Sequence, residues 1–97
     1  MKLTIGYTER AKSDLHFIAA YLRARSKGGE RNVLYAIRSA VRQLAEFPES
    51  GIATDMNDVR VAVVQNYPYR VFYRPADSRL DILHIRHTRR SPLGTLF

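Results

Sequence analysis

A change of hydrophobic period near Val59 limits what this chain can fold into more than any other feature. Between Thr8 and Phe47 apolar residues recur three and four apart, as in helices that bury one stripe. From Val59 onward they recur at every second position, as in half-buried strands. Ala11, Leu15, Ile18 and Leu22 form the first stripe, with Thr8 as its N-cap and Glu9 in the first turn, and the helix is expected to run to about Arg25. Gly28-Gly29 interrupts the pattern. A second helix is expected from about Glu30, with Val33, Ile37, Ala40, Leu44 and Phe47 as its stripe and Pro48 as its stop. The short glycine connection makes the two helices an antiparallel hairpin. Strands are expected around Val59–Val64, Tyr69–Arg74 and Leu80–His87, with turns at Asn66-Tyr67-Pro68 and at Pro75 to Ser78, and the tail from Thr88 to Phe97 reads as irregular. A short alternating stretch, Lys2 to Tyr7, precedes the helices and places Leu3, Ile5 and Tyr7 on one face. The order is β-α-α-β-β-β. Because the helical stripes need burial, the hairpin must cover one face of a small antiparallel sheet, and the first strand joins at an edge. The expectation is a two-layer α+β fold in one domain spanning residues 1–97.

This architecture excludes several functions. There is no cysteine, so disulfide scaffolds, thiolate metal sites and cysteine nucleophiles are ruled out. The longest apolar run, Phe17 to Leu22, is six residues, against the roughly 20 that a membrane span requires, and the N-terminus lacks the apolar stretch of a secretory leader. A cytoplasmic location is the expectation. No G-x-S-x-G, P-loop or G-x-G-x-x-G motif is present, and no pair of carboxylates shares a stripe. No cofactor is implied. The positive signal is charge: 16 basic against 9 acidic residues give +7, and 13 of the 16 are arginine. Such a balance calls for an acidic partner, and arginine suits bidentate contact with phosphate or carboxylate.

Two surfaces are candidates for that contact. If Val59, Val61, Val63, Val71 and Tyr73 face the helices, the opposite sheet face carries Arg60, Arg70, Arg74 and Arg86, with Phe72, Ile82 and His84 among them. Interleaved arginines and aromatics on a sheet suit a nucleic-acid backbone. His84 or His87 is the candidate general base. The pair does not make a metal site, because residues three apart on a strand face opposite sides. Arg86, His87, Arg89 and Arg90 form a cation cluster with no acid between Leu83 and Phe97. The second surface lies on the helices. Phe17 and Tyr21 fall outside the first stripe, and the outer face of the second helix carries Arg31, Tyr35, Arg38 and Arg42. An apolar stripe beside a basic one is a docking site for an acidic amphipathic segment.

Five segments together resemble the ParE branch of the RelE/ParE toxin superfamily. They are Tyr7 to Leu15, Leu44 to Gly51, Val59-Arg60, Tyr67 to Arg74 and Ile82 to Arg90. The resemblance implies a RelE-like fold and a toxin of a type II toxin–antitoxin pair, neutralised by an antitoxin whose C-terminal segment wraps it. It further implies that a ParE-like member poisons DNA gyrase, whereas RelE-like members cut mRNA in the ribosomal A site with Lys, Arg and, in several, a C-terminal Tyr. This chain departs from the RelE pattern: its lysines are Lys2, Lys12 and Lys27, and its last tyrosine is Tyr73. The expected function is therefore a non-enzymatic, ParE-like gyrase inhibitor partnered by a ParD-like antitoxin. Phe17, Tyr21, Arg31, Tyr35, Arg38 and Arg42 would bind the antitoxin, and Arg86, His87, Arg89 and Arg90 the target. The alternatives are an mRNA endonuclease using Arg60, Arg74, His84, Arg86 and His87, and an inactive member that only binds antitoxin.

Overall fold

The computed structural model describes residues 2–88. Its elements are β1 (Thr4–Tyr7), α1 (Glu9–Arg25), α2 (Gly29–Glu46), β2 (Ile52–Ala53), β3 (Arg60–Val63), β4 (Tyr69–Pro75) and β5 (Arg79–His87). The sheet has five strands in the order β1-β5-β4-β3-β2. The meander β3-β4-β5 is antiparallel, and β1 occupies the edge as expected. It runs parallel to β5, so the sheet is mixed. Thr8 caps α1 by accepting the Ala11 N–H at 3.1 Å, and Gly28 enters α2 at φ 83°, a conformation that favours glycine. The core joins Ala11 and Ile18 of α1 and Val33, Ile37, Val41, Leu44 and Ala45 of α2 to Tyr69, Val71, Tyr73, Leu80, Ile82 and Ile85 of the sheet.

Three side-chain placements differ from the sequence reading. First, β3 is turned over. Ala62 pairs with Val71 and packs on the core, and Val64 is buried there, while Val61 and Val63 share the outer face with Phe72 and Arg70. Valine at 59, 61 and 63 suggests an inward face, but the small Ala62 is what fits beneath α2. Val59 is buried outside the main cluster. Second, a bulge breaks the alternation of β5. Phe72 pairs with His84 and Tyr73 with Ile82, leaving Leu83 as the extra residue. Ile82 therefore faces the core, not the outer surface, while His84 keeps its outer position. Third, Phe47 is 59% exposed, and Val41 and Ala45 take its place in the core. Pro48 ends α2 before Phe47 completes the stripe.

The strand β2 had no sequence signal, having only two residues. It is fastened by a clamp. The Tyr73 hydroxyl donates to the Pro48 carbonyl at 2.8 Å and accepts the Gly51 N–H at 3.0 Å. Burial raises the phenol's pKa and so keeps it protonated for this donation. A Cβ at residue 51 would collide with the Tyr73 hydroxyl and approach the Val61 carbonyl to 2.8 Å, so this position requires glycine.

Candidate functional site

The outer sheet face is built from β4 and β5. Cross-strand pairing sets Arg70 against Arg86, Phe72 against His84 and Arg74 against Asp81. His84 and Phe72 stack at 5.9 Å with their planes 25° apart, and the Arg86 guanidinium lies 5.7 Å from the Phe72 ring centre. Phe72 and His84 are buried, whereas Arg70 and Arg74 are exposed. This surface is basic over an aromatic floor.

Helix α1 closes one side of it. Strand β1 pairs only with Arg79–Ile82, so the rest of β5 has no strand neighbour there. Thr8 donates its N–H to Ile82 O, and its hydroxyl lies 3.0 Å from the carbonyls of Ile82 and Leu83. Nearly two turns later, Asp14 Oδ2 accepts the Ile85 N–H at 2.9 Å and meets His84 Nδ1 at 2.6 Å. A carboxylate has no hydrogen to give, so Nδ1 carries the proton and Nε2 presents its lone pair, 3.5 Å from Arg10 Nη2. Burial is the largest influence on the His84 pKa and lowers it. The Asp14 hydrogen bond and charge oppose that effect, while Arg10 and Arg86 add to it. The ring is accordingly neutral at pH 7. Arg86 also has a lowered pKa, first by burial and then by repulsion from Arg70 and Arg10.

The candidate nuclease set does not assemble on one face. Arg74, His84 and Arg86 lie on the outer face. Arg60 instead pairs with the core residue Tyr73 and donates through Nη1 to the carbonyls of Gly51 at 2.7 Å and Glu49 at 3.3 Å, reinforcing the β2 clamp. His87 pairs with the core residue Tyr69 and meets its ring edge-on at 5.2 Å. This corrects the sequence reading of Arg60, which was placed on the outer face, whereas His84 and His87 do face opposite sides of β5, as their spacing of three implies. Arg89 and Arg90 of the cation cluster, and the tail beyond them, lie outside the described residues. Sequence reasoning missed Arg10 and Asp14 as site residues. Their one signal was spacing, an i, i+4 pair beside the apolar stripe of α1.

The six helix residues fall into three groups. On α1, Phe17 is 63% exposed and stacks on Tyr21 at 6.5 Å, with Arg25 lying 4.0 Å over the Tyr21 ring. On α2, Arg38 and Arg42 are close enough to Tyr7 to oppose the burial-driven rise of its pKa. Arg31 and Tyr35 line a groove between α2 and β3. The groove consists of two adjoining hollows of about 620 and 600 Å³ that share Ala40, Gln43 and Val63. Tyr35, Phe47, Ile52 and Val63 supply its exposed apolar surface.

Comparison with known proteins places the whole chain in a family. A family model described as the ParE toxin of the type II toxin–antitoxin system parDE matches residues 5–92. Toxin RelE2 of Caulobacter vibrioides is 32% identical over 86 residues, covering 89% of this chain and 96% of that protein. The fold matches a structure of the chromosomal ParDE toxin–antitoxin system from P. aeruginosa with a TM-score of 0.67 at 19% identity, covering 91% of this chain and 98% of that one. It also matches the RelBE2 toxin–antitoxin complex from Mycobacterium tuberculosis with a TM-score of 0.63 at 21% identity, covering 90% of this chain and 99% of that one. The isolated RelE toxin of E. coli gives 0.66 at 18%, covering 92% and 87%.

Proposed function

We propose that this chain, which belongs to the ParE toxin family of type II toxin–antitoxin systems, arrests growth by binding DNA gyrase and is neutralised by a cognate antitoxin. The observation that carries the gyrase reading is the state of His84. The histidine on that face is buried, with Nδ1 on Asp14 and its Nε2 lone pair directed at Arg10 and not at open solvent. A general base needs an open lone pair within reach of the proton it takes. With Arg60 and His87 turned to the other side, the outer face supports binding better than turnover. Arg86, His87, Arg89 and Arg90 are the proposed target contacts. Action is proposed in the cytoplasm, where gyrase works, and among the described residues no helix is long and apolar enough to cross a membrane.

The antitoxin is proposed to be ParD-like, with an acidic amphipathic C-terminal segment. Its apolar side would cover the α2–β3 groove and the Phe17–Tyr21 ridge, and its acids would meet Arg31, Arg38 and Arg42. Charge complementarity with a chain of net charge +7 supports this choice.

Purified chain, freed from its antitoxin, is expected to inhibit gyrase supercoiling or trap cleaved DNA, and to leave ribosome-bound mRNA intact in a toeprinting assay. Cuts in the A site with supercoiling unaffected would transfer the chain to the endonuclease reading, which the name of the Caulobacter relative favours.

A further inference from the structure

We propose that Asp14 is a positioning residue: together with His84 it holds the Arg10 guanidinium of α1 in one orientation, ready to contact the growth-arrest target. The proposal rests on the reading of this chain as a toxin that acts by binding, and not on which target it binds. It starts from a gap in the sheet. Strand β1 pairs with β5 only from Arg79 to Ile82, so β5 has no strand on that side from Leu83 to His87. Helix α1 lies there instead, and its own buried residues are only Ala11 and Ile18. A backbone donor at a covered edge needs an acceptor. Asp14 supplies one to the Ile85 N–H at 2.9 Å, where a strand carbonyl would otherwise stand.

Closing the edge requires one bond, but the carboxylate makes more. The same oxygen takes the His84 Nδ1 proton at 2.6 Å, and the ring is stacked on Phe72 at 5.9 Å. Nε2 is thereby an acceptor, 3.5 Å from Arg10 Nη2, while Asp14 Oδ1 lies 4.0 Å from Arg10 Nε. Nε and Nη2 form one edge of the planar guanidinium. With that edge turned toward His84 and Asp14, the other edge, Nη1 with the second Nη2 hydrogen, can meet a paired oxygen acceptor. The Arg10 side chain is half exposed, whereas those of Asp14 and His84 are largely buried. The exposed residue makes the contact, and the two behind it aim it. An arginine on an open helix face must otherwise be ordered when it binds, and holding it beforehand removes that cost.

Two measurements test it. The first is imidazole nitrogen NMR of the purified chain across pH. His84 is expected as the Nδ1–H tautomer, and an Nε2–H ring would overturn the proposal. Among the described residues, the charges facing the ring are Asp14 and Arg10 of α1 and Arg86 of β5, with Phe72 of β4 stacked on it. Arg10→Gln should raise the pH at which His84 titrates, and Asp14→Asn should lower it. A titration that neither substitution moves would show that the three groups are not in contact. The second measurement is growth arrest in cells lacking the antitoxin, scored at equal expression as the inducer dose that halts growth. Arg10→Gln and Asp14→Asn are each expected to raise that dose several-fold, and the double variant to be no worse than Arg10→Gln alone. Arg10→Lys should not restore activity, because an ammonium has no edge to be held by. Full activity of Arg10→Gln, or losses that multiply in the double variant, would overturn the proposal. Asp14→Asn keeps an oxygen for the Ile85 N–H, and thermal melting of each variant is recorded alongside. If Asp14→Asn fails to fold, His84→Phe takes its place in the same cycle with Arg10→Gln, since it preserves the stack on Phe72 and removes both ring nitrogens. Neither readout uses gyrase, so failure of the gyrase reading and failure of this one remain distinct.

Discussion

At the residue scale, single hydrogen-bonding groups decide where segments lie. Tyr73 fixes the connection from α2 to β2 through one hydroxyl that donates to Pro48 and accepts from Gly51. Tyr73→Phe keeps the ring in the core and strands both backbone partners. It should cost about 1–2 kcal/mol in denaturant unfolding and lower the melting temperature by roughly 5–15 °C. His84 makes stability depend on pH. Its folded pKa lies below the ordinary histidine value, chiefly because burial disfavours the charged ring. The unfolded chain therefore binds a proton that the folded chain refuses. The stabilisation is complete above the unfolded pKa of about 6.5 and is lost as pH falls through the folded value. The stability difference between wild type and His84→Gln should thus shrink as pH drops from 7 toward 5, by at most about 1.4 kcal/mol per pH unit. A constant difference across that range, measured by urea unfolding, would show that the ring protonates freely in place. Neither group's role was legible in the sequence. A tyrosine hydroxyl 22 residues from its backbone partner, and a histidine 70 from its carboxylate, leave no local pattern.

At the element scale, the helices were legible because their stripes, the Thr8 cap and the Gly28-Gly29 break all agree. The faces of the strands were less so. In β3 two branched valines point outward beside Phe72 and Arg70, since the inward place beneath α2 goes to Ala62. The same choice leaves Val63 66% exposed in the groove with Tyr35, which is 68% exposed. Tyr35→Ala with Val63→Ser is predicted to weaken antitoxin binding ten-fold or more in calorimetry, as truncation of central anchors does. Melting of the free chain should change little, because both side chains are exposed. Phe17→Ala with Tyr21→Ala tests the α1 ridge in the same assay. If only the ridge pair matters, the antitoxin runs along α1 and leaves the groove open.

At the scale of the whole molecule, a charge of +7 on 97 residues sets association kinetics more than fold. The rate of antitoxin association, followed by stopped flow, is expected to fall at least ten-fold between roughly 0.05 and 0.5 M salt, with a much smaller change in dissociation. A salt-independent rate would remove steering from the account. The sequence by itself determined the order of every element except β2, the helix hairpin, the edge position of β1 and the excess of arginine, because periodicity, caps and composition are local properties that survive without neighbours. Only the tertiary structure decided that β1 runs parallel to β5, that the bulge at Leu83 turns Ile82 inward, that Arg60 serves the β2 clamp, and that Arg10 and Asp14 of α1 meet His84. These outcomes depend on which side chain fills a given space and which distant group satisfies a given donor. Both are settled when the helices close on the sheet, and neither is written in residue spacing.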